Sequence, residues 1–512
     1  MPIKLLDDHK LNFDGLFTFE MANNHQGDVE HGKRIIREIA AGVRQAGVRG
    51  AIKLQFRDLD TFVHPDYRQN TDNKHIQRFL STRLSSEQFA ELVSEIRAQG
   101  MLTMCTPFDE PSVDLLERLE IDILKIGSCS AKDWPLLERA AKSRKPIIVS
   151  TGGLSMKDVD NLVSFLDHRY AHYAIMHCVA IYPTPMEKLQ LNHIERLRQR
   201  YPQATIGFST HEDPNNFDAI KMAYAKGARV FERHVGVPTD TITLNAYSST
   251  PQQIAYWLAA YREAVAAMGP DDARVIESEE SRDLLTLQRG IFAKRSIKAG
   301  EEIARDDVFF AFPIQSGQLS SGRWRSGLIA DRDYPANAAI ADAILSPVPS
   351  KREIIYQAIH EMKGMLNDAK IALSTEFSME LSHHYGIERF QEVGTTIIDC
   401  INREYCKKIL IQLPGQQHPY HHHRKKEESF QVLSGELYVE LEGRRRVLYS
   451  GDILVVQRGV KHRFWSETGA IFEEISSTHF NDDSIYDDPA INALPREARK
   501  TKLINWGRHQ FD

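Results

Sequence analysis

Between residue 15 and about residue 240 one pattern recurs: a short apolar run, a polar loop, then a segment with helical periodicity. The apolar runs are Leu16–Met21, Gly50–Phe56, Leu102–Phe108, Ile123–Gly127, Pro146–Ser150, Ala174–Val179, Thr205–Ser209 and Ala228–His234, which makes eight. Between them lie amphipathic segments such as His31–Gln45, Ser86–Ala98 and Asn215–Ala225. Strands that are buried on both faces read as continuous apolar runs, because helices cover them on one side and the sheet's own interior covers them on the other. Eight strand–helix units within about 250 residues match a closed α/β barrel of the (β/α)8, or TIM, type. An open doubly wound sheet is the alternative, but it does not require eight regular units.

The chain is longer than one barrel. Its 512 residues suggest about three domains. We assign residues 1–270 to the barrel. Residues 269–284 are charged and turn-rich (Gly269-Pro270-Asp271-Asp272, then Glu277 to Glu280) and read as a boundary. Residues 286–348 have short strands and Gly turns, with Lys298-Ala299-Gly300-Glu301-Glu302 as a tight turn. Residues 351–370 read as a connecting helix. From 371 to 480 the period changes to two, as in Leu433-Ser434-Gly435-Glu436-Leu437-Tyr438-Val439-Glu440, which indicates an all-β domain. The tail, 481–512, is polar and is expected to pack irregularly.

Composition excludes several classes. With 42% hydrophobic and 26% charged residues the chain can bury large cores, so wholesale disorder is excluded. No run of about 18 apolar residues exists, so no membrane span is expected. Met1 to Lys10 lack the apolar segment of a signal peptide. The five cysteines, Cys105, Cys129, Cys178, Cys400 and Cys406, form no paired pattern, which argues for a reducing, cytoplasmic compartment. A net charge of -6 gives no reason to expect nucleic-acid binding, and the basic runs at 424–426 and 444–446 are short.

In a barrel of this type the active site forms where the strands end, and here those ends are polar. Glu20, Asn23, Asn24 and His25 follow the first run; Lys53 and Gln55 lie on the second; Thr106 and Asp109 close the third. Lys125 and Ser128 close the fourth, Ser150 and Thr151 the fifth, and Tyr182-Pro183-Thr184-Pro185 follows the sixth. Ser209, Thr210 and His211 close the seventh, and Glu232, Arg233 and His234 the eighth. A lysine in an apolar strand is costly unless it meets an anion, so Lys53 and Lys125 point to an anionic substrate. Hydroxyls on Thr106, Ser128, Ser150 and Ser209 suit phosphate oxygens. His211 and His234, at matching height on adjacent strands, suit one divalent metal.

Taken in order and spacing, these residues carry a resemblance. The segments Phe19-Glu20-Met21-Ala22-Asn23-Asn24-His25-Gln26-Gly27, Lys53-Leu54-Gln55-Phe56, Thr106-Pro107-Phe108-Asp109, Lys125-Ile126-Gly127-Ser128, Ser150-Thr151-Gly152, Gly207-Phe208-Ser209-Thr210-His211 and Glu232-Arg233-His234 resemble the motifs of the N-acetylneuraminate (sialic acid) synthase family. Residues 286–348 resemble the small β-rich SAF (antifreeze-like, β-clip) domain that follows the barrel in that family. The resemblance implies condensation of phosphoenolpyruvate with the open-chain aldehyde of an aldose, usually an N-acylated mannosamine-like sugar. The products would be a 2-keto-3-deoxy sugar acid and phosphate. It implies that Lys53, Gln55, Thr106, Lys125, Ser128, Ser150, Tyr182 and Ser209 bind substrate, and that Mn2+ or Mg2+ sits on His211 and His234. Glu20 would position the acceptor or a metal-bound water, and Glu232 would meet acceptor hydroxyls. It also implies a homodimer in which the SAF domain caps the partner's barrel. Ser130, Ala180, Thr210, Arg233 and Phe312-Pro313-Ile314 depart from the family's usual residues, which points to a different or modified acceptor. Arg323 or Arg325 would stand in for the arginine usual in the SAF turn.

Gly415, His421, His423, Glu428 and Gly435, followed by Gly451, Gly459 and His462, resemble the two motifs of cupins, which are small β-barrels. Strand alternation puts His421 and His423 on one side. With Glu428 and His462 they would form a three-histidine, one-carboxylate site for a divalent metal of unstated identity. Lys425, Lys426 and Glu427 beside the ligands loosely resemble sugar-isomerase cupins. The residues leave two rival readings open: a cupin-centred sugar isomerase or epimerase, and a non-catalytic sugar sensor on a degenerate synthase. The presence of Lys53, Lys125, His211 and His234 favours catalysis.

Overall fold

The computed structural model describes residues 11–68, 72–270, 274–344, 349–374, 376–480 and 482–508. The N-terminal residues read above for a signal segment, and Asp271-Asp272 of the boundary, lie outside them. The chain divides into two compact units between Val275 and Ile276.

The first unit is a closed barrel of eight parallel strands in sequence order. They are β1 (Leu16–Glu20), β2 (Arg49–Phe56), β3 (Leu102–Pro107), β4 (Ile123–Ile126), β5 (Ile147–Ser150), β6 (Tyr173–Cys178), β7 (Thr205–Thr210) and β8 (Val230–His234). Each differs from its sequence-based range by a residue or two at the ends. β1 pairs with both β2 and β8, which closes the ring. The helices begin where short polar side chains can hold free backbone N–H groups. Asp28 accepts from the backbone N–H of Glu30 and of His31 to start Val29–Ala46, and Gly47 ends it at φ 66°. Ser85 and Gln88 form a capping box before Ser86–Ala98.

Strand alternation sorts the side chains into three sets. Outward residues such as Phe17, Phe19, Ile52, Leu54, Leu124, Val149, Ile175, Phe208 and Phe231 pack under the helices in one continuous core. Inward residues near the strand starts (Leu16, Ala51, Met104, Ile123, Ile148, Ala174, Met176 and Val230) fill the barrel's lower interior and are fully buried. Full burial of an apolar side chain of this size contributes about 1.5–3 kcal/mol, so this layer is a floor rather than a pore. Inward residues near the strand ends are polar, and they form the candidate site. Gly207 lets β7 approach β8 closely: a Cβ there would lie 2.6 Å from the carbonyl oxygen of Val230.

The second unit begins with a helix, Ser278–Thr286, which starts inside the stretch read as a boundary and runs two residues past it. Two small antiparallel pairs follow, β9 (Gly290–Ala293) with β11 (Val308–Ala311), and β10 (Glu302–Ile303) with β12 (Leu328–Ile329). Their own core includes Ile291, Ile297, Val308, Leu328 and Ile340. Gly300 turns at φ 83°, within the expected tight turn. The helix Lys351–Asp368 packs Ile355, Ile359 and Met362 against the following sheet.

That sheet carries β13 (Ser378–Ser382), β14 (Thr395–Asn402), β15 (Tyr405–Gln412), β16 (His421–His423), β17 (Glu428–Leu441), β18 (Arg444–Tyr449), β19 (Ile453–Val456), β20 (His462–Trp465) and β21 (Ala470–Ser477). The tail corrects an expectation. Instead of packing irregularly, it supplies β22 (Ser484–Tyr486) and β23 (Lys500–Leu503), the two ends of the strand order β22-β16-β20-β17-β21-β15-β14-β13-β23. Both runs are only three or four residues long, so periodicity could not reveal them. β23 pairs with β13 and carries Lys500 to the buried Glu380, whose Oε1 lies 2.5 Å from its Nζ. Among the described residues no helix is long and apolar enough to cross a membrane, and the five cysteines are all free.

Candidate active site and candidate metal centre

The polar upper layer of the barrel opens into a cavity of about 1020 Å³. All the residues expected to act in the barrel line it: Glu20, Lys53, Gln55, Thr106, Lys125, Ser128, Ser150, Tyr182, Ser209, His211, Glu232 and His234. They meet because each lies at an inward position near the end of one of the eight strands or just beyond it.

At the centre is a buried charge cluster. Lys53 Nζ lies 2.5 Å from Glu20 Oε2 and 2.8 Å from Glu232 Oε1. Lys125 Nζ lies 2.7 Å from Glu232 Oε2 and 2.9 Å from Oε1, and Ser209 Oγ donates to Oε1 at 3.0 Å. Both lysines thus meet a protein carboxylate, and Glu232 is engaged by the two of them. Burial alone would raise Glu232, but Lys125 and Lys53 outweigh it and hold the carboxyl far below the usual range. Burial pushes Glu20 up, against the pull of Lys53, and Glu232 adds to the rise. Lys53 stays charged because the two carboxylates overcome its desolvation.

The buried Oγ1 of Thr106 and Oγ of Ser150 have no hydrogen-bond partner, so two donors in the cavity wall are unspent. Ser128 Oγ accepts from the backbone N–H of Gly152 at 2.9 Å. The rings of His211 and His234 are 5.2 Å apart. Burial, then the neighbouring His234, pushes His211 down to about 3; burial, then Lys53, does the same to His234. Both are therefore neutral imidazoles near pH 7, and His234 Nδ1 is buried without a partner. A pair of neutral imidazoles of this kind fits a divalent metal that completes its coordination with other ligands.

Several lining residues carry no signal in the strand pattern. Arg57, two residues beyond Gln55, continues the alternation of β2. Its guanidinium carbon lies 3.4 Å from the ring centroid of Phe108 and 4.1 Å from that of Phe79, and burial lowers it to about 10. Lys74, His75 and Arg78 come from a helix, Lys74–Ser81, in the loop after β2. Tyr247, from an irregular stretch after β8, packs its ring 5.0 Å from that of His234. Of the departures noted in the barrel sequence, Ala180 is the one that lines the cavity. Arg233 faces outward, donating to the carbonyl of Asp213 at 2.8 Å, and Thr210 shares that outward phase of its strand.

The second unit holds the other cluster. One ligand atom each from His421, His423, Glu428 and His462, all buried, lie within 4.8 Å of one another. Each imidazole is oriented by a backbone carbonyl. Nδ1 of His421 meets the oxygen of Pro419 at 3.1 Å, that of His423 meets Asp483 at 3.3 Å, and that of His462 meets Val460 at 3.0 Å. A carbonyl can only accept, so each Nδ1 carries a proton and each Nε2 is turned inward. These nitrogens face a carboxylate: Glu428 Oε1 is 3.1 Å from His423 Nε2, and Oε2 is 3.2 Å from His462 Nε2. Three imidazole nitrogens and a carboxylate converging in a buried site, with Glu428 Oε2 and His462 Nε2 lacking a hydrogen-bond partner, are a donor set that fits a divalent metal. The surrounding cavity also holds His418, Lys408, Lys426, His479, Tyr486 and Lys500.

Residues 39–273 match the NeuB family model. A protein of unassigned function from Methanocaldococcus jannaschii is 30% identical over 293 residues, covering 57% of this chain and 82% of that protein. The chain belongs to the NeuB family. The N-acetylneuraminate-9-phosphate synthase of Drosophila melanogaster is 28% identical over 332 residues, 58% of this NeuB-family chain and 87% of that enzyme. A solved structure from Chromobacterium violaceum, described as a spore coat polysaccharide biosynthesis protein E, is 47% identical with a TM-score of 0.63, covering 65% of this chain and 100% of that one. Residues 409–475 match the cupin domain model, so this NeuB-family chain carries a cupin domain at its C-terminal end.

Proposed function

We propose that the barrel condenses phosphoenolpyruvate with the aldehyde of an N-acylated mannosamine-like aldose, giving a sialic-acid-like 2-keto-3-deoxy nonulosonic acid and phosphate. It is a transferase that forms a C–C bond. The observation that carries this reading is the convergence of Lys53, Lys125, four hydroxyl-bearing side chains, His211 and His234 on one cavity. Lys53 and Lys125 hold the anionic ends of phosphoenolpyruvate, with Thr106, Ser128, Ser150 and Ser209 donating to its oxygens. His211 and His234 would hold Mn2+ or Mg2+, which supplies Lewis-acid polarisation of the aldehyde oxygen. Carbon 3 of the enol attacks the aldehyde carbon, whose oxygen gains a proton and becomes a hydroxyl. Water adds to carbon 2, and the resulting tetrahedral centre breaks its C–O bond to release inorganic phosphate. Glu20, raised by burial, is placed to take the proton of that water. Tyr182, Gln55 and Glu232 bound the acceptor side.

Residues 1–270 form the synthase domain in this reading, residues 286–348 a SAF domain and residues 371–480 the cupin. Two copies pair so that each SAF domain caps the partner's barrel, and the enzyme works in the cytoplasm. The family resemblance of the sequence motifs supports these points. The cupin binds or modifies a sugar on its metal.

The test is phosphate release from phosphoenolpyruvate with Mn2+ across N-acetylmannosamine, its 6-phosphate and diacetamido hexoses. Release that depends on one sugar is the expected result and names the acceptor. Silence across the panel, with the protein folded and metal bound, sinks the reading. The cupin quartet favours one rival, a sugar isomerase centred there. Under that rival His421→Ala with His423→Ala abolishes all activity; under the synthase reading phosphate release survives it.

A further inference from the structure

We propose that the cupin cavity takes a sugar that carries an anionic group, and that Lys408 holds that group while the metal quartet holds the sugar's oxygens. This rests on the reading of the cupin as a sugar site. The cavity wall that contains His421, His423 and Glu428 also contains three lysines, Lys408, Lys426 and Lys500. Two of them are already neutralised. Lys500 Nζ donates to Glu380 Oε1 at 2.5 Å. Lys426 Nζ donates to Glu474 Oε1 at 2.8 Å and also meets Glu428.

Lys408 is different. It is 4% exposed, and its nearest carboxylate oxygen is Asp399 Oδ1, 4.0 Å away, beyond hydrogen-bond reach. An ammonium buried to this degree without a hydrogen bond is costly, and the cavity is where its partner can enter. Nδ1 of His479, on the same wall, is likewise buried without a partner. Metal binding sharpens the imbalance. A divalent ion adds two positive charges and takes up Glu428, so Lys426 keeps Glu474 alone. A neutral sugar would leave Lys408 uncompensated, whereas a carboxylate or phosphate would pair with it. The carboxylate could come from a sugar acid, the class of product proposed for the barrel. The phosphate could come from a phosphorylated sugar.

Calorimetric titration of the full-length protein separates the cases. The probes are N-acetylneuraminate, N-acetylmannosamine 6-phosphate and neutral N-acetylmannosamine. The cupin's share of the heat is what the full-length His421→Ala/His423→Ala variant lacks. We expect one anionic probe to bind the cupin at least tenfold more tightly than the neutral sugar, and which one does so names the source of the charge. Lys408→Met should lose at least tenfold in that affinity, keep its affinity for the neutral sugar and keep its metal content by elemental analysis; Lys408→Arg should retain the preference. Equal binding of anionic and neutral probes, or full anion affinity in Lys408→Met, overturns the proposal while leaving the cupin a sugar site. If no probe gives heat beyond the double variant, the cupin sugar reading fails and takes the proposal with it. Should Lys408→Met unfold, the comparison of charged and neutral probes on the wild-type chain decides.

Discussion

Lys125 grips Glu232 from both sides: its Nζ lies 2.7 Å from Oε2 and 2.9 Å from Oε1, with 1% and 4% of the two side chains exposed. With Lys53 and Glu20 alongside, the centre of the barrel carries two positive and two negative charges. The lysines that would hold phosphoenolpyruvate are thus shared with a carboxylate that competes for them.

Removing that competition should show. Glu232→Gln keeps the shape and lifts one negative charge from beside two ammonium groups. We expect phosphoenolpyruvate to bind about tenfold more tightly, about 1.4 kcal/mol, while kcat falls because the side chain no longer orders Lys125 and Ser209. Steady-state kinetics with phosphoenolpyruvate as the varied substrate reads both; unchanged affinity would show that Glu232 does not compete.

Lys125→Met removes the other partner. It leaves Glu232 buried with one lysine fewer, and breaking a buried pair from one side costs about 3–5 kcal/mol. We expect a clear drop in melting temperature together with loss of phosphate release. A variant that melts like the wild type would mean that Glu232 is reached by water.

His234→Ala should abolish phosphate release with little change in melting temperature, since His234 Nδ1 makes no hydrogen bond that the fold would lose. Mn2+ titration should show the loss of one site while the cupin site remains. Retained turnover would remove His234 from the chemistry.

His421→Ala with His423→Ala should lose one equivalent of metal per chain by elemental analysis. A bound metal stabilises the folded state in proportion to its occupancy, so treatment with a chelator should lower the cupin's melting temperature in the wild type and leave the variant unchanged.

The tail should respond to pH through Glu380. Burial would raise this carboxyl, but Lys500 and Arg496 outweigh it and hold it below the ordinary range. A carboxyl with a depressed folded value stabilises the fold above its unfolded value, about 4.3, and loses that contribution as pH falls through the folded value. Glu380→Gln should therefore lower the melting temperature at pH 7, by the equivalent of about 3 kcal/mol. The gap to the wild type should close below about pH 4. Calorimetric melts from pH 3 to 8 check this; a gap independent of pH would assign the effect to packing.

Much of the barrel was legible because its signal is local. A strand buried on both faces must be apolar along its length, so Ile147–Ser150 and Tyr173–Cys178 stand out from the polar loops around them. Polar residues at the ends of such runs have no structural reason to be there, which is why Lys53, Lys125 and Glu232 declared themselves. Arg57 and Tyr247 were not legible, since one lies past a strand and the other in a stretch without periodicity. β22 and β23 were hidden for a related reason: a strand of three or four residues at a sheet edge needs partners, not a pattern, to form.

The sequence by itself determined the repeat of strand and helix, the eightfold count, the polar character of the strand ends and the spacing of His421, His423, Glu428 and His462. These depend on side-chain period, which a linear string records. Only the tertiary structure decided that Glu232 belongs to Lys53 and Lys125, that Lys500 answers Glu380, and that Lys408 is buried beside the metal quartet without a carboxylate in hydrogen-bond reach. Those are relations between residues up to 179 positions apart. A charge's partner is set by which strands become neighbours, and that neighbourhood exists only once the barrel has closed and the C-terminal sheet has assembled.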